Sequence, residues 1–518
     1  MKNIKKVLLT FLALSLAFLS PVSVKASETN ANDAKMSIFS IDAGRKYFSK
    51  DQLKQIVKKA HDTGYTHVQL LLGNDGLRFA LDDMTIVTET KTYASDDVKA
   101  GITAGNDAYY KDPNGDYLTE SEMDEILAYA KKLNISIIPV INSPGHMDGI
   151  LTAMEYVGIE KPQYEYAGKR STRTIDLNNE EALAFNKQLL TKYVEYFSAH
   201  SSIFNFGCDE YANDIDSSDE GYYNGWSRLQ GSGMYPKFVE YVNDIAKLVK
   251  DHGMTPMVFN DGIYYGKTYN EEFGQFDKDI IISYWTSGWW EFYVAKANDL
   301  YNRGHKIVNT NDAWYWVLGH IEDGGYNYVN ALKNIEAKRF DEIAGDSLNT
   351  PSIGVTHAVW CDEPNMAHDM ERIMNLMDAF STKHAEHLIR PADYSKVEAA
   401  LESVPADLEK YTDASIEKLN AAINAVDYTL KVTDQEKVDA MAQAIVDAVA
   451  QLEVKVVKPE VKPEEKPQPE VKPEEKPEAK PEEDKAPQTG DTTNMLALWA
   501  TLVGAAGMVW FARKKQFN

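Results

Sequence analysis

The chain holds only two cysteines, Cys208 and Cys361, among 518 residues. Two thiols cannot make a disulfide framework, so a hydrophobic core must hold the fold, and buried free thiols are expected. Positive charge is also scarce: 54 Lys and Arg stand against 79 Asp and Glu, a formal net charge of −25. That balance argues against nucleic acid as a partner and suits a surface protein handling neutral substrates. No His/Cys cluster has zinc spacing and no glycine-rich phosphate loop is present, so no metal and no cofactor is expected. Asp112-Pro113-Asn114-Gly115-Asp116 starts like a calcium loop but lacks the later glycine and acid, which leaves a solvated turn.

Both ends carry processing patterns. Lys2, Lys5 and Lys6 precede an apolar run over 7–19, and Val24-Lys25-Ala26 offers small residues for cleavage, so 1–26 reads as a secretory signal. At the other end Ala486-Pro487-Gln488-Thr489-Gly490 precedes an apolar stretch over 495–512 and then Arg513-Lys514-Lys515. An ordinary single-pass anchor has this hydropathy. The order of the parts in 486–518 resembles the sorting signal of Gram-positive surface proteins, cut by a sortase between Thr and Gly. Ala486 stands where that signal usually has Leu. The resemblance implies a secreted, outward-facing protein anchored to the cell wall, with sortase and wall as partners.

Between the ends, 36–390 alternates short apolar runs with longer amphipathic segments. Strands are predicted at 36–41, 65–72, 135–141, 202–207, 255–259, 280–285, 306–310 and 353–360. Helices are predicted at 50–62, 120–133, 180–199, 236–252, 292–302, 328–343 and 366–384, with a short one near Asn270. Ser49 with Gln52, and Thr119 with Glu122, are capping boxes. Eight such repeats over roughly 350 residues predict an α/β fold, a (β/α)8 TIM barrel, rather than a doubly wound sheet with fewer units. In 392–454 the Ala, Lys, Glu and Leu spacing predicts three helices, at 394–403, 413–426 and 434–452. They resemble the FIVAR type of small three-helix module. The Lys-Pro-Glu repeat of 455–485 has no core-forming pattern and predicts an extended wall-spanning stalk.

Active sites of such barrels lie at the C-terminal ends of the strands. There Ser202-Ile203-Phe204-Asn205-Phe206 ends in Gly207, and Cys208-Asp209-Glu210 follows. Adjacent side chains on a regular strand point apart, but at a strand end the chain turns and both acids can lean into one cavity. Two carboxyls that close separate their pKa values into a donor and an anion. Other strand ends supply Asp42 and Arg45; Asn74, Asp75 and Arg78; Asn142 and His146; Asn260 and Asp261; and Asp362 and Glu363. Trp285, Trp289, Trp290, Trp314, Tyr315, Trp316 and Trp360 cluster at three consecutive strand ends, as flat walls for a sugar ring would.

Taken in order, Asp42-Ala43-Gly44-Arg45, Asn74-Asp75-Gly76-Leu77-Arg78, Pro144-Gly145-His146, Gly207-Cys208-Asp209-Glu210, Phe259-Asn260-Asp261 and Ala358-Val359-Trp360-Cys361-Asp362 resemble glycoside hydrolase family 20. Cys208 and Phe259 depart from that family's usual Gly and Trp, and Val317 stands where many members have Asp. The resemblance covers 36 to about 384 and implies a β-N-acetylhexosaminidase or a lacto-N-biosidase acting on a glycan. It implies Glu210 as general acid/base and Asp209 as the group that orients the substrate's 2-acetamido arm. Arg45 and Asp362 would hold hydroxyls, Tyr315 the acetamide carbonyl, Trp285 and Trp360 the ring and N-acetyl group. Apart from the resemblance, His146 reads either as a partner supporting Glu210 or as a structural loop histidine, and it is placed with the substrate-binding residues. A desolvated pocket and an anionic neighbour would keep Glu210 protonated near neutral pH. Release of a disaccharide, and a wall-anchored adhesin that binds glycan without cleaving it, are the competing readings. A chitinase-type enzyme is disfavoured because the fourth strand lacks an Asp-x-Asp-x-Glu spacing.

Overall fold

Eight parallel strands close on themselves in a computed structural model that describes residues 35–215 and 221–455. They are β1 (Met36–Asp42), β2 (His67–Asn74), β3 (Ser136–Ile141), β4 (Ile203–Asn205), β5 (Thr255–Phe259), β6 (Ile281–Tyr284), β7 (Ile307–Asn309) and β8 (Gly354–Trp360). β1 pairs with both β2 and β8, which shuts the barrel. The expected leader, the stalk beyond 455 and the sorting signal lie outside the described residues. Among the described residues no helix is long and apolar enough to cross a membrane.

Each strand is a short apolar run because both of its faces are covered. Ile38, Ile138, Ile203, Met257, Ile281 and Val308 fill one end of the barrel interior. Further along the same strands the interior turns polar. Gln69 donates to Ser40 Oγ at 2.9 Å, and Asn205 donates to Gln69 Oε1 at 3.2 Å. This satisfied polar layer lies toward the C-terminal ends, where the site forms. Both expected capping boxes are present, at Ser49 and Thr119.

Several expected elements are shorter or differently placed. The helix expected over 292–302 is Ala297–Asn302, because Phe292 belongs to a tight turn with Trp289. The one expected over 328–343 is Tyr328–Ala337. The one expected over 366–384 is Met370–Lys383. Two helices, Ser95–Tyr110 and Asp148–Tyr156, and a hairpin, Gln163–Tyr166 with Lys169–Ile175, were not legible as elements. Gly101 and Gly105 look like helix breakers but serve close packing. A methyl group on Gly105 would lie 2.1 Å from the carbonyl oxygen of Gly149 on the facing helix. Asp112 is buried rather than solvated, and its carboxylate accepts from the Tyr47 and Asn114 amides.

After the barrel come helices Ser395–Glu402, Asp413–Asn424 and Gln435–Ala450. They share a small core of Val397, Leu419, Val438 and Ile445. Backbone hydrogen bonds from Ala392 to Leu430 and from Val432 to Arg390 fasten them to the last barrel segment.

Candidate active site

The β4 end sets the geometry. Gly207, Cys208, Glu210 and Ala212 all take positive φ values, of 75°, 66°, 48° and 45°. Only glycine fits at 207, since a Cβ there would come within 2.0 Å of Asn142 Oδ1. This run of left-handed residues breaks the strand's alternation and turns Asp209 and Glu210 into one cavity. Such strained backbone persists only when its surroundings hold it. Asp261, at the end of β5, accepts from the Glu210 amide at 2.8 Å, Trp226 Nε1 at 3.0 Å and Trp285 Nε1 at 3.2 Å. From the other side the hairpin strand Lys169–Ile175 grips the loop. Thr174 Oγ1 accepts from the Ala212 amide, Ser171 Oγ and the Thr172 amide donate to Asp214, and Arg173 Nη1 donates to Asn213 Oδ1. Asn213 Nδ2 in turn donates to Glu210 Oε2 at 2.7 Å.

The first, second and last strands meet at Arg45. Asp42 Oδ1 accepts from the Gly44 and Arg45 amides, a turn that sends Arg45 back across the barrel mouth. Its Nε donates to Asp75 Oδ2 and its Nη1 to Asp362 Oδ1, each at 2.7 Å. Asp75 also accepts from His146 Nδ1 at 2.8 Å. The other ring nitrogen, Nε2, lies 3.3 Å from Glu210 Oε2 and 3.5 Å from Asp209 Oδ2.

One cavity is lined by Arg45, His146, Asp209, Glu210, Trp285, Tyr315, Trp360 and Asp362. Phe259 and Tyr326 complete its wall. Three buried polar atoms on these residues have no protein partner: Asp209 Oδ1, Tyr315 Oη and Trp360 Nε1. Buried polar groups are seldom left unpaired without a use, so these mark where a polar ligand would be held. The rings of Tyr315 and Trp360 meet edge to face with centroids 5.4 Å apart.

The electrostatics centre on His146. Burial opposes its protonation, yet the carboxylates of Asp75, Asp209 and Glu210 hold its pKa well above the ordinary histidine value. Asp75 resists burial through Arg45 and His146, which keep it well below the usual carboxylate range. Burial raises Asp209, and Glu210 beside it adds to that despite His146. Burial also pushes Glu210 up, but the hydrogen bond and charge of His146 prevail and lower it. This direction runs against the expectation of a protonated Glu210: His146, whose Nε2 lies 3.3 Å from Glu210 Oε2, favours the ionised carboxylate. Burial and Asp209 raise Asp261 to about 7.

Other strand-end residues have different roles. Trp314 and Trp316 are buried behind the wall rather than on it. Trp314 packs on Phe380, and Trp316 packs on Tyr328 while donating to the His320 carbonyl. Arg78 is spent on the Tyr110 and Asp116 carbonyls. Asn142 donates to Asn74, and Asn260 accepts from the Trp285 amide. Cys208 and Cys361 are free and buried. Tyr326 carried no signal in the sequence, since it lies beyond the expected strand end. No group of residues suited to a metal ion occurs among the described residues.

The family model "Glycosyl hydrolase family 20, catalytic domain" matches residues 38–374. A solved catalytic module of the pneumococcal exo-β-D-N-acetylglucosaminidase StrH is 44% identical, with a TM-score of 0.72, covering 80% of this chain and 98% of that one. A lacto-N-biosidase of Bifidobacterium bifidum is 30% identical over 213 residues, 39% of this chain. A β-hexosaminidase subunit A1 of Dictyostelium discoideum is 22% identical over 277 residues, 54% of this chain. The chain spans only 17% and 45% of the lengths of those two relatives. With a match running from the first barrel strand into the helix after the last, the chain belongs to glycosyl hydrolase family 20.

Proposed function

We propose that the barrel is an exo-acting, retaining β-N-acetylhexosaminidase that removes terminal N-acetylhexosamine, GlcNAc or GalNAc, by substrate-assisted catalysis. One observation carries this: adjacent Asp209 and Glu210 share a cavity in which Asp209 Oδ1 and Tyr315 Oη are buried and unpartnered. A carboxylate acceptor and a phenol donor match the N–H and carbonyl of an acetamide. Arg45, tied to Asp75 and Asp362, offers hydroxyl partners for a single terminal ring.

In the first step the acetamide oxygen attacks the anomeric carbon and the bond to the leaving oxygen breaks. Asp209 accepts the acetamide N–H and offsets the charge of the oxazolinium ion. Glu210 delivers a proton to the leaving oxygen. As substrate excludes water from the cavity, the proton on His146 Nε2 is the supply within reach of Glu210 Oε2. In the second step Glu210 takes a proton from water, which attacks the same carbon from the leaving-group side. The configuration is retained, and no protein nucleophile is needed, an exception to the two-carboxylate scheme.

The relatives support the same chemistry: StrH is an exo-β-D-N-acetylglucosaminidase and the Dictyostelium protein a β-hexosaminidase. The 30% identity to a lacto-N-biosidase favours a second reading, release of a disaccharide. An adhesin without turnover would have no need of the paired acids. The division into leader, barrel, FIVAR-like module, stalk and sorting signal, with display on a Gram-positive cell wall by a sortase, belongs to this proposal and rests on the sequence patterns at the two ends. The deciding experiment follows products from a chromogenic N-acetylglucosaminide and from a lacto-N-bioside by NMR. Release of β-N-acetylglucosamine with retention from the first supports the reading. Cleavage of the lacto-N-bioside alone would install the second, and an inverted product would refute the mechanism.

A further inference from the structure

Asp261 lies two residues past the end of β5, wholly buried behind the cavity wall rather than on it. Its carboxyl nevertheless touches two working parts of the site. Oδ2 accepts from the Glu210 amide at 2.8 Å and from Trp226 Nε1 at 3.0 Å. Oδ1 accepts from Trp285 Nε1 at 3.2 Å. One planar group thus joins the backbone of the acid loop, a core indole and an indole of the cavity wall.

Both working ends need the joint. Glu210 is left-handed, with φ at 48°, a conformation that persists only where its surroundings fix it. The direction of its amide also sets where the side chain leaves the loop. The Trp285 backbone is already held, since Asn260 Oδ1 accepts from its amide at 2.8 Å. Asp261 adds a hold on the tilt of the ring. Trp226 supplies the anchor. It is fully buried, lies edge to face with Phe238 at a centroid distance of 4.9 Å, and packs so close to Gly262 that a Cβ there would come within 2.2 Å. A carboxyl is a costly acceptor here, because burial and the neighbouring Asp209 both oppose its ionisation. Residues that break a local rule in this way gather at functional sites.

We propose that Asp261 is a positioning residue for the reaction, tying the Glu210 backbone and the Trp285 ring to one anchor so that acid and cavity wall keep a fixed register. This inference rests on the glycosidase reading above. Glu210 must reach the leaving oxygen while Trp285 confines the sugar whose acetamide attacks. Both act at one anomeric carbon, where groups have to be held within about 0.5 Å. Asp261 touches neither sugar nor leaving group and acts through the two residues it holds.

The test uses the full chain with a β-linked N-acetylglucosaminyl disaccharide and 4-nitrophenyl β-N-acetylglucosaminide. The aryl group leaves with little help from an acid. The ratio of kcat/KM values, disaccharide over aryl glycoside, therefore reports how well Glu210 is placed, and it does not depend on how much enzyme is folded. In Asp261→Ala both ties are cut, and the ratio is expected to fall about tenfold. In Asp261→Asn the single carbonyl oxygen goes to the position with two donors, so the Glu210 amide stays held and Trp285 is released. That variant should keep the ratio within about twofold while KM rises about threefold or more on both substrates. A ratio unchanged in Asp261→Ala overturns the proposal, as does an equal loss on both substrates in that variant. An Asp261→Asn enzyme with wild-type KM overturns it too. If Asp261→Ala does not fold, Asp261→Asn decides alone, a raised KM with the ratio kept supporting the tie and any other result overturning it. A wild-type chain that cleaves neither substrate overturns the hexosaminidase reading and this inference with it. Wild-type cleavage with unaltered kinetics in the variants overturns this inference alone.

Discussion

Asp214→Ala tests whether the hairpin strand Lys169–Ile175 keeps the catalytic loop in shape. Asp214 does not line the cavity, but it accepts from Ser171 Oγ at 2.8 Å and from the Thr172 amide at 2.7 Å. Hydrogen bonds to a charged acceptor are worth about 1.5–3 kcal/mol each when shielded. Asp214 is exposed, so water replaces much of that, and the pair together contributes about 1–2 kcal/mol. The loop it holds contains Glu210 and Ala212 in left-handed conformations, which relax once the grip is lost. A loss of that size lowers the equilibrium constant between the held and relaxed loop about tenfold; with the left-handed strain of Glu210 and Ala212 opposing the held form, kcat on a natural glycan should drop severalfold, up to about tenfold. KM should stay within about twofold, because Arg45, Trp285 and Asp362 are untouched. Steady-state kinetics of Asp214→Ala beside Asp244→Ala, a surface control whose nearest basic partner is Lys187 at 3.6 Å, would show the split. An Asp214→Ala enzyme with kcat within twofold of wild type would refute the reasoning. So would a loss confined to KM.

Further tests address the acids, the fold and its pH dependence. Glu210→Gln should lose far less activity on activated aryl glycosides than on glycans, whereas Asp209→Asn should lose heavily on both, because every substrate needs its acetamide positioned; equal losses for Glu210→Gln on both substrates would remove its acid role. Gly207→Ala should abolish activity and lower Tm, since the new methyl meets Asn142 Oδ1 at 2.0 Å and the backbone is left-handed; an active, equally stable variant would contradict the loop geometry. His357 is fully buried, shares a hydrogen bond of 3.1 Å between its Nδ1 and Tyr65 Oη, and has its pKa lowered to about 3 by burial. Its folded pKa is below its unfolded value of 6.5, so below that value the unfolded chain takes up a proton that the folded chain refuses. Its contribution is complete above pH 6.5 and is lost as pH falls, by about 2 kcal/mol at pH 5. Denaturant unfolding of wild type and His357→Gln at pH 7 and pH 5 should show a smaller pH slope in the variant, and identical slopes would discredit the assignment.

Much of the architecture was legible because it is written in local patterns. The apolar runs that became β1 to β8, and the capping boxes at Ser49 and Thr119, depend only on residues near in sequence. The strand-end rule then gathers Arg45, His146, Asp209, Glu210, Trp285, Tyr315, Trp360 and Asp362 from the sequence, and all of them line one cavity. Their roles in turnover await the experiments above. Local pattern was blind to the helix Ser95–Tyr110, whose glycines look like breakers until the facing helix is seen.

By itself the sequence determined a chain rich in acid and poor in cysteine, with a periodicity that closes eight strand–helix units into a barrel and sets paired carboxyls at the end of the fourth. Only the tertiary structure decided which aromatics face the cavity, with Trp314 and Trp316 turned away and Tyr326 brought in. It alone brought His146 within 3.3 Å of Glu210, where it favours the ionised carboxylate, and set a remote hairpin against the acid loop. The reason is reach. Hydrophobic period and turn chemistry are set by neighbours along the chain. Charge and contact are set by neighbours in space, such as Arg45 and Asp362, which meet at 2.7 Å across 317 positions of sequence.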